Sequence, residues 1–347
     1  MKHYPKNVVR RARTLLALAV ACMLPAAALY AQDRSASEPI KPLPPKPALD
    51  AKKVELGRLL FNDARFSDDG SVSCASCHKV EAGGADAGRK LSVGVRKQSG
   101  TINSPSVLTA AYNFRQFWDG RADTLENQIP HVLSNPREFG STWPAVVARL
   151  SADPKLVGAV KEVYGTTALS QRNLSDAIAT YERSLPEPSR FDQYLRGDSQ
   201  AITEDERQGY VKFKSYGCIA CHQGVNVGGN MYQRLGVLGD YFNDRGGPLT
   251  TDDMGRFNVT RRESDRHVFK VPSLRNVALT PPYFHDGSAT TLEQAVQAMF
   301  KYQLGRSAPP QDAAQIVQFL RALTAQSIEK NQRGATTAAT AQASQKP

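Results

Sequence analysis

The 347-residue chain is poor in the features that mark several large classes of protein. Five cysteines are too few for a disulfide-rich scaffold. No long apolar run occurs after residue 30, so a polytopic membrane protein is excluded. With 41% hydrophobic and 22% charged residues, the composition also excludes collagen-like, coiled-coil and wholly disordered chains. What remains is a globular protein long enough for about two domains.

The basic excess is concentrated at the start. Lys2, Lys6, Arg10, Arg11 and Arg13 precede an apolar run from Leu15 to Leu24, and Pro25 and small residues follow. A basic head, a short apolar stretch and a small-residue end make an export signal. The reading is a signal peptide over 1–31, cleaved near Ala31, with Ala26-Ala27-Ala28 as the alternative point, and a periplasmic product. A membrane anchor would need ~20 apolar residues. Cleavage would leave 39 basic against 33 acidic residues, so the net charge falls from +11 to +6 and a nucleic-acid partner is not indicated.

Cleavage would also remove Cys22. The four remaining cysteines occur only as Cys74-Ala75-Ser76-Cys77-His78 and Cys218-Ile219-Ala220-Cys221-His222. Each is the C-x-x-C-H signature of c-type haem attachment. Two thiols a turn apart can form thioethers to the two vinyl groups, and the adjacent histidine then lies beneath the iron. A redox disulfide would not require the histidine twice, and a zinc site would need further ligands. Two covalent c-type haems are therefore expected.

The fold class reads as mainly α: two cytochrome c-like haem domains with long loops. Residues 32–48 read as an extended leader, 49–190 as one haem domain, 191–330 as a second, and 331–347 as a disordered tail. Ser170 to Leu185 has helical spacing, and Thr203/Glu206 and Thr290/Glu293 read as capping boxes. No alternating strand series appears. The stretch from Pro105-Ser106 through Phe117-Trp118-Asp119-Gly120 to Thr124-Leu125-Glu126 recurs 167 positions later as Pro272-Ser273, Phe284-His285-Asp286-Gly287 and Thr291-Leu292-Glu293. That repeat supports two related halves.

These residues resemble a known family, the bacterial di-haem cytochrome c peroxidases, over nearly all of 50–325. The resemblance rests on both haem motifs, Asn103-Ser104-Pro105, Phe117-Trp118-Asp119-Gly120-Arg121, Arg190-Phe191-Asp192, Gly255-Arg256-Phe257, Phe269-Lys270-Val271-Pro272, Leu274-Arg275-Asn276 and Pro282-Tyr283-Phe284-His285-Asp286-Gly287. The maturation enzymes of methylamine dehydrogenase share much of this set.

The resemblance implies roles that composition alone does not. The second haem would be the electron entry point, ligated by His222 and by Met299, which stands fourteen residues after His285. The maturation enzymes carry tyrosine at that ligand position. The first haem, on His78, would be peroxidatic, with Gln128 and Glu138 in its distal pocket at ten and twenty residues after Trp118. A carboxyl there can move a proton between peroxide oxygens, an amide can hold the peroxide, and Trp118 would relay electrons between the haems. Taken alone, Met299 and Trp118 would read as core residues and Gln128 and Glu138 as surface ones.

One departure concerns the loop Ser92-Val93-Gly94-Val95-Arg96. Many family members carry a blocking distal histidine there, and Val95 cannot ligate iron, so the first haem is expected to be open in the oxidised protein. His131 is the alternative ligand nearby in sequence. The family also implies a calcium ion, mapping to Asn103, Thr280 and Pro282, a homodimer, and a small cytochrome c or cupredoxin as donor to hydrogen peroxide. The rival readings are an oxidase acting on a protein substrate and a non-enzymatic di-haem electron carrier.

Overall fold

The computed structural model describes residues 37–331. The expected signal peptide, the first part of the leader and the tail beyond 331 lie outside them. The longer helices are α1 (Ala51–Phe61), α2 (Leu125–Ser134), α3 (Trp143–Ser151), α4 (Pro154–Tyr164), α5 (Gln171–Ser184), α6 (Glu204–Ser215), α7 (Leu292–Leu304) and α8 (Pro310–Arg321). Among the described residues none is long and apolar enough to cross a membrane.

Each half is built on a crossed helix pair, and glycine makes the crossing. In the first half α1 packs on α5, and a Cβ on Gly57 would stand 2.0 Å from the Ala177 carbonyl oxygen. In the second half α6 packs on α8, and a Cβ on Gly209 would stand 1.9 Å from the Gln315 carbonyl oxygen. An aromatic contact closes each crossing, Phe61–Tyr181 at 5.3 Å and Phe213–Phe319 at 5.1 Å between ring centroids. Around them lie two apolar cores, one holding Leu60, Leu150 and Ile178, the other Phe191, Phe300 and Leu323.

Local signals start these helices where the sequence places them, with one shift. Ser170 and Thr203 cap α5 and α6 as expected, each with a reciprocal side chain three residues on. α7 starts one residue later than Thr290/Glu293 implies. Its cap is Thr291, and Gln294 reaches back to it. Glu293 is drawn outward, pairing with Arg321 at 3.3 Å.

The expected absence of strands fails only locally. Two three-residue strands, β1 (Tyr232–Arg234) and β2 (Val268–Lys270), pair antiparallel with Tyr232 opposite Lys270. They are too short for alternation to register in the sequence. The leader is extended but docked: Ile40 is fully buried in the second core, and Lys41 N–H bonds to the Gly224 carbonyl at 3.2 Å. Beside it Arg275 and Asp192 form a fully buried ion pair at 2.9 Å.

The 167-residue repeat is a structural one. The Asn103 N–H donates to the His285 carbonyl at 2.7 Å, and the Lys270 N–H donates to the Trp118 carbonyl at 2.7 Å. Asn103 and Lys270 are one repeat apart, as are Trp118 and His285. The halves therefore meet through reciprocal hydrogen bonds about a pseudo-twofold relation. Gln116 to Ala122 and Tyr283 to Ala289 close the same loop in each half, at 2.8 and 2.7 Å.

Candidate active site

The two C-x-x-C-H motifs fold alike. In each, the histidine N–H returns to the carbonyl of the first cysteine at 2.9 Å, so the thiols and the ring are set by one helical turn. All four cysteines are unbridged. Burial pushes the Cys218 thiol up to about 11 and raises Cys74 further, which disfavours the thiolate that a redox disulfide or zinc centre needs.

His78 Nδ1 lies 3.0 Å from the Gly84 carbonyl, and His222 Nδ1 lies 3.4 Å from the Val227 carbonyl. A backbone acceptor on Nδ1 fixes the ring and leaves Nε2 for a metal. Burial lowers both imidazoles, His222 to about 4, so the neutral form that ligates iron is favoured. Thiol pair, oriented neutral imidazole and apolar surroundings together fit a covalent haem at each motif.

The distal candidates sit on and after α2. Thr124 caps this helix, and Gln128 lies half-buried on its second turn. Glu138 follows in a loop, where Asn135 Nδ2 donates to its carboxylate at 2.6 Å. Burial raises the Glu138 pKa, against the opposing pull of Arg121 and of Asn135. Its charge is felt at Cys77, so the structure brings Glu138 to the first motif. Among the described residues no hydrogen bond joins Gln128 to Glu138.

Val95 is tied to the Glu138 backbone. It is fully buried, and its N–H donates to the Glu138 carbonyl at 3.0 Å. Gly94 makes the approach feasible, since a Cβ there would be 2.1 Å from the Arg137 carbonyl oxygen. His131 is exposed and meets Phe117 edge-on at 5.8 Å.

A feature that motif reading missed is the register of α2 against α7. Thr124 and Thr291 cap the two helices one repeat apart, and the buried Leu133 and Phe300 occupy matching positions. Extending that register puts Met299 of the second half where the first half has Val132, and Ala295 where the first has Gln128. Met299 is half-buried on α7. The repeat visible in the sequence stops at Glu126, and only the shared helix carries it further.

Between the halves stands Trp118. Its Nε1 donates to the Asn103 carbonyl at 2.9 Å, and its ring is 6.3 Å from His285 and 6.5 Å from Phe269. His285 is buried, with Nε2 2.8 Å from Asp253 Oδ1. Arg245 bonds both Asp253 and Asp286, at 2.6 and 3.0 Å. Burial would raise the Asp253 carboxyl, but Arg245, Thr250 and His285 hold it well below the usual range. Asp253, His285 and Asp286 could cluster around a metal, yet the guanidinium already meets their charge. No sequence motif announced Asp253 or Arg245.

The calcium candidates gather around one loop. Asn103 Nδ2 donates to the Lys90 carbonyl at 3.1 Å, and Gly88 N–H donates to the Pro281 carbonyl, between Thr280 and Pro282, at 2.7 Å. The Asn103 amide oxygen is left with no donor among the described residues. A free amide oxygen among carbonyls fits a hard cation.

Comparison with known proteins agrees with this arrangement. The sequence profile of the family described as di-haem cytochrome c peroxidase matches residues 51–200. The chain is 45% identical over 289 residues to the cytochrome c peroxidase Ccp of Escherichia coli, an overlap of 83% of this chain but 61% of that longer protein. It is 41% identical over 312 residues to the cytochrome c551 peroxidase of Nitrosomonas europaea, covering 90% of each. Among solved structures, a MauG-like protein associated with microbial copper homeostasis superposes with a TM-score of 0.70 at 28% identity, over 83% of this chain and 93% of that one. The chain belongs to the di-haem cytochrome c peroxidase family.

Proposed function

We propose that the protein is a periplasmic peroxidase that reduces hydrogen peroxide to water, taking electrons singly from a small cytochrome c or cupredoxin. The overall balance is one peroxide, two protons and two electrons to two waters. Two covalent c-type haems, held by Cys74, Cys77 and His78 and by Cys218, Cys221 and His222, supply the redox-active iron. The first lies in a peroxidatic domain over 49–190 and the second in an electron-transfer domain over 191–330.

The observation that carries this reading is the Val132/Met299 pair. At one helical position the second half carries the Met299 thioether, which with His222 would hold the second haem, whereas the first carries the aliphatic Val132, which cannot ligate. A saturated iron transfers electrons and an open one can take a small oxidant. Val95 supplies no blocking ligand, and the His131 ring packs edge-on against Phe117, so the first site would be open before any reduction.

Glu138 is the proton carrier. Burial raises its pKa, so the carboxylate can take a proton from one peroxide oxygen and, once protonated, give it to the leaving one. Gln128 holds the peroxide by its amide. Trp118, in contact with His285 and Phe269 where the halves meet, is the aromatic bridge for electrons. Asn103, Thr280 and Pro282 would hold a calcium ion that pins the same junction. The assembly is a homodimer, by family resemblance.

Steady-state peroxide turnover with a reduced small cytochrome tests the reading. General acid–base groups contribute roughly 10²–10⁴-fold, so Glu138→Gln should lose that much with both haems retained. No turnover in the native protein would leave a simple electron carrier, and unchanged turnover in Glu138→Gln would remove Glu138 from the proton transfer.

A further inference from the structure

The small sheet holds a charged side chain to which the proposed reaction gives no part. Lys270, the last residue of β2, is 6% exposed. Its backbone is engaged, paired with Tyr232 and donating to the Trp118 carbonyl. Its ammonium has no acceptor, carboxylate or aromatic partner among the described residues, and burial alone pushes its pKa down to about 8. A lysine so largely buried whose ammonium meets no protein partner among the described residues is an unfavourable arrangement that folds seldom keep.

The pseudo-twofold relation makes the gap specific. Asn103 occupies the equivalent position in the first half, and its amide N–H is satisfied by the Lys90 carbonyl. The acidic pair Asp253 and Asp286 of the same half is already held by Arg245. The chain meets the polar group on one side of the junction and leaves its counterpart unmet.

Placement indicates what is missing. Two residues beyond Lys270, the Pro272 carbonyl accepts from the His222 ring. One residue before it, Phe269 stacks on His285 at 4.5 Å. Lys270 therefore lies between the second attachment motif and the Trp118–His285 contact. Each haem expected here carries two propionate carboxylates, the kind of partner a buried ammonium requires. We propose that Lys270 Nζ binds a haem propionate where the two halves meet and thereby raises that haem's reduction potential. This rests on the di-haem reading above.

The physical consequence has a sign. An ammonium against the propionate neutralises negative charge beside the iron and so favours the reduced, less positive metal. Replacing it with a neutral side chain favours the oxidised form. The carboxylate could belong to either haem, and the experiment separates the two.

The test is a potentiometric titration of the mature di-haem protein, following each haem by its own absorption bands. In Lys270→Met one haem should become at least tenfold harder to reduce, a fall of 59 mV for a one-electron couple. The haem that moves is the one whose propionate is held. Lys270→Arg should stay within threefold of the native protein. Redox infrared difference spectra with ¹³C-labelled propionates should also show the carboxylate stretch shifting in Lys270→Met. Native potentials in Lys270→Met, or a fall in potential with an unmoved carboxylate band, would overturn the contact. Should Lys270→Met not mature, Lys270→Gln is read the same way. Fewer than two haems per native chain, by pyridine haemochrome absorbance, would instead sink the di-haem reading beneath it.

Discussion

The two halves are close in scaffold and opposed in chemistry. Both cross their helices at a glycine, both turn C-x-x-C-H with one backbone bond, and both tie the histidine ring to a carbonyl. They diverge at single matched positions. Val132 corresponds to Met299 and Gln128 to Ala295, and, counted from the matched crossing residues Ala177 and Gln315, the buried Glu182 of α5 corresponds to the buried Leu320 of α8. In the reverse sense, Leu108 of the first half matches the buried Arg275 of the second. The two halves of a duplicated scaffold differ here by side chains alone, because the backbone already puts each pair at equivalent positions.

Breaking the comparison at its most chemical point should give the largest effect. Glu138→Gln is expected to cost roughly 10²–10⁴ in turnover, read against an unchanged haem spectrum. Next comes the ligand position. Met299→Val should make the second haem resemble the first, lowering its potential by more than a tenfold reduction equilibrium, about 59 mV. The reciprocal Val132→Met should convert the first haem to low spin and close it to peroxide. Electron paramagnetic resonance of the diferric protein reads both, and a low-spin first haem in the native protein would contradict the open site.

Stability sharpens the contrast further. Arg275→Met leaves Asp192 buried without its partner, and breaking such a pair costs about 3–5 kcal/mol. Chemical denaturation should show that loss. If it does not, the pair contributes only orientation.

Glu182 gives the most pH-specific effect. Burial raises its pKa to about 8, with Arg183 pulling it down and Glu126 pushing it up. Because the folded carboxyl holds its proton more tightly than the unfolded one at 4.5, the folded state binds more protons in that window. Stability should therefore fall as pH rises from 4.5 to about 8, by at most about 1.4 kcal/mol per pH unit. Glu182→Gln should flatten that slope and leave the stability at pH 4 nearly unchanged. Thermal melts across the range would show parallel curves if the carboxyl is solvated instead.

Much of this was legible because it is local. A haem motif needs five consecutive residues, and a capping box needs four, so Cys74 to His78 and Thr203 to Glu206 declare themselves. The start of α7 slipped by one residue because Thr290 and Thr291 both compete for Gln294. The docking of Ile40 was not legible, since a Pro-rich stretch reads as leader whether or not it finds a groove. Nor was the Asp253–His285–Arg245 cluster, whose members lie up to 40 residues apart in the chain and meet only in the fold.

By itself the sequence determined the two C-x-x-C-H motifs, the helical class and the duplication, because motifs and helix initiation depend on neighbours along the chain. Only the tertiary structure decided which side chains share a face of the junction. It buried Lys270 without a partner, set Val95 against Glu138, and carried the repeat through a helix to oppose Val132 and Met299. Burial and pairing are relations between distant segments, and their energies exist only once the two halves have closed on each other.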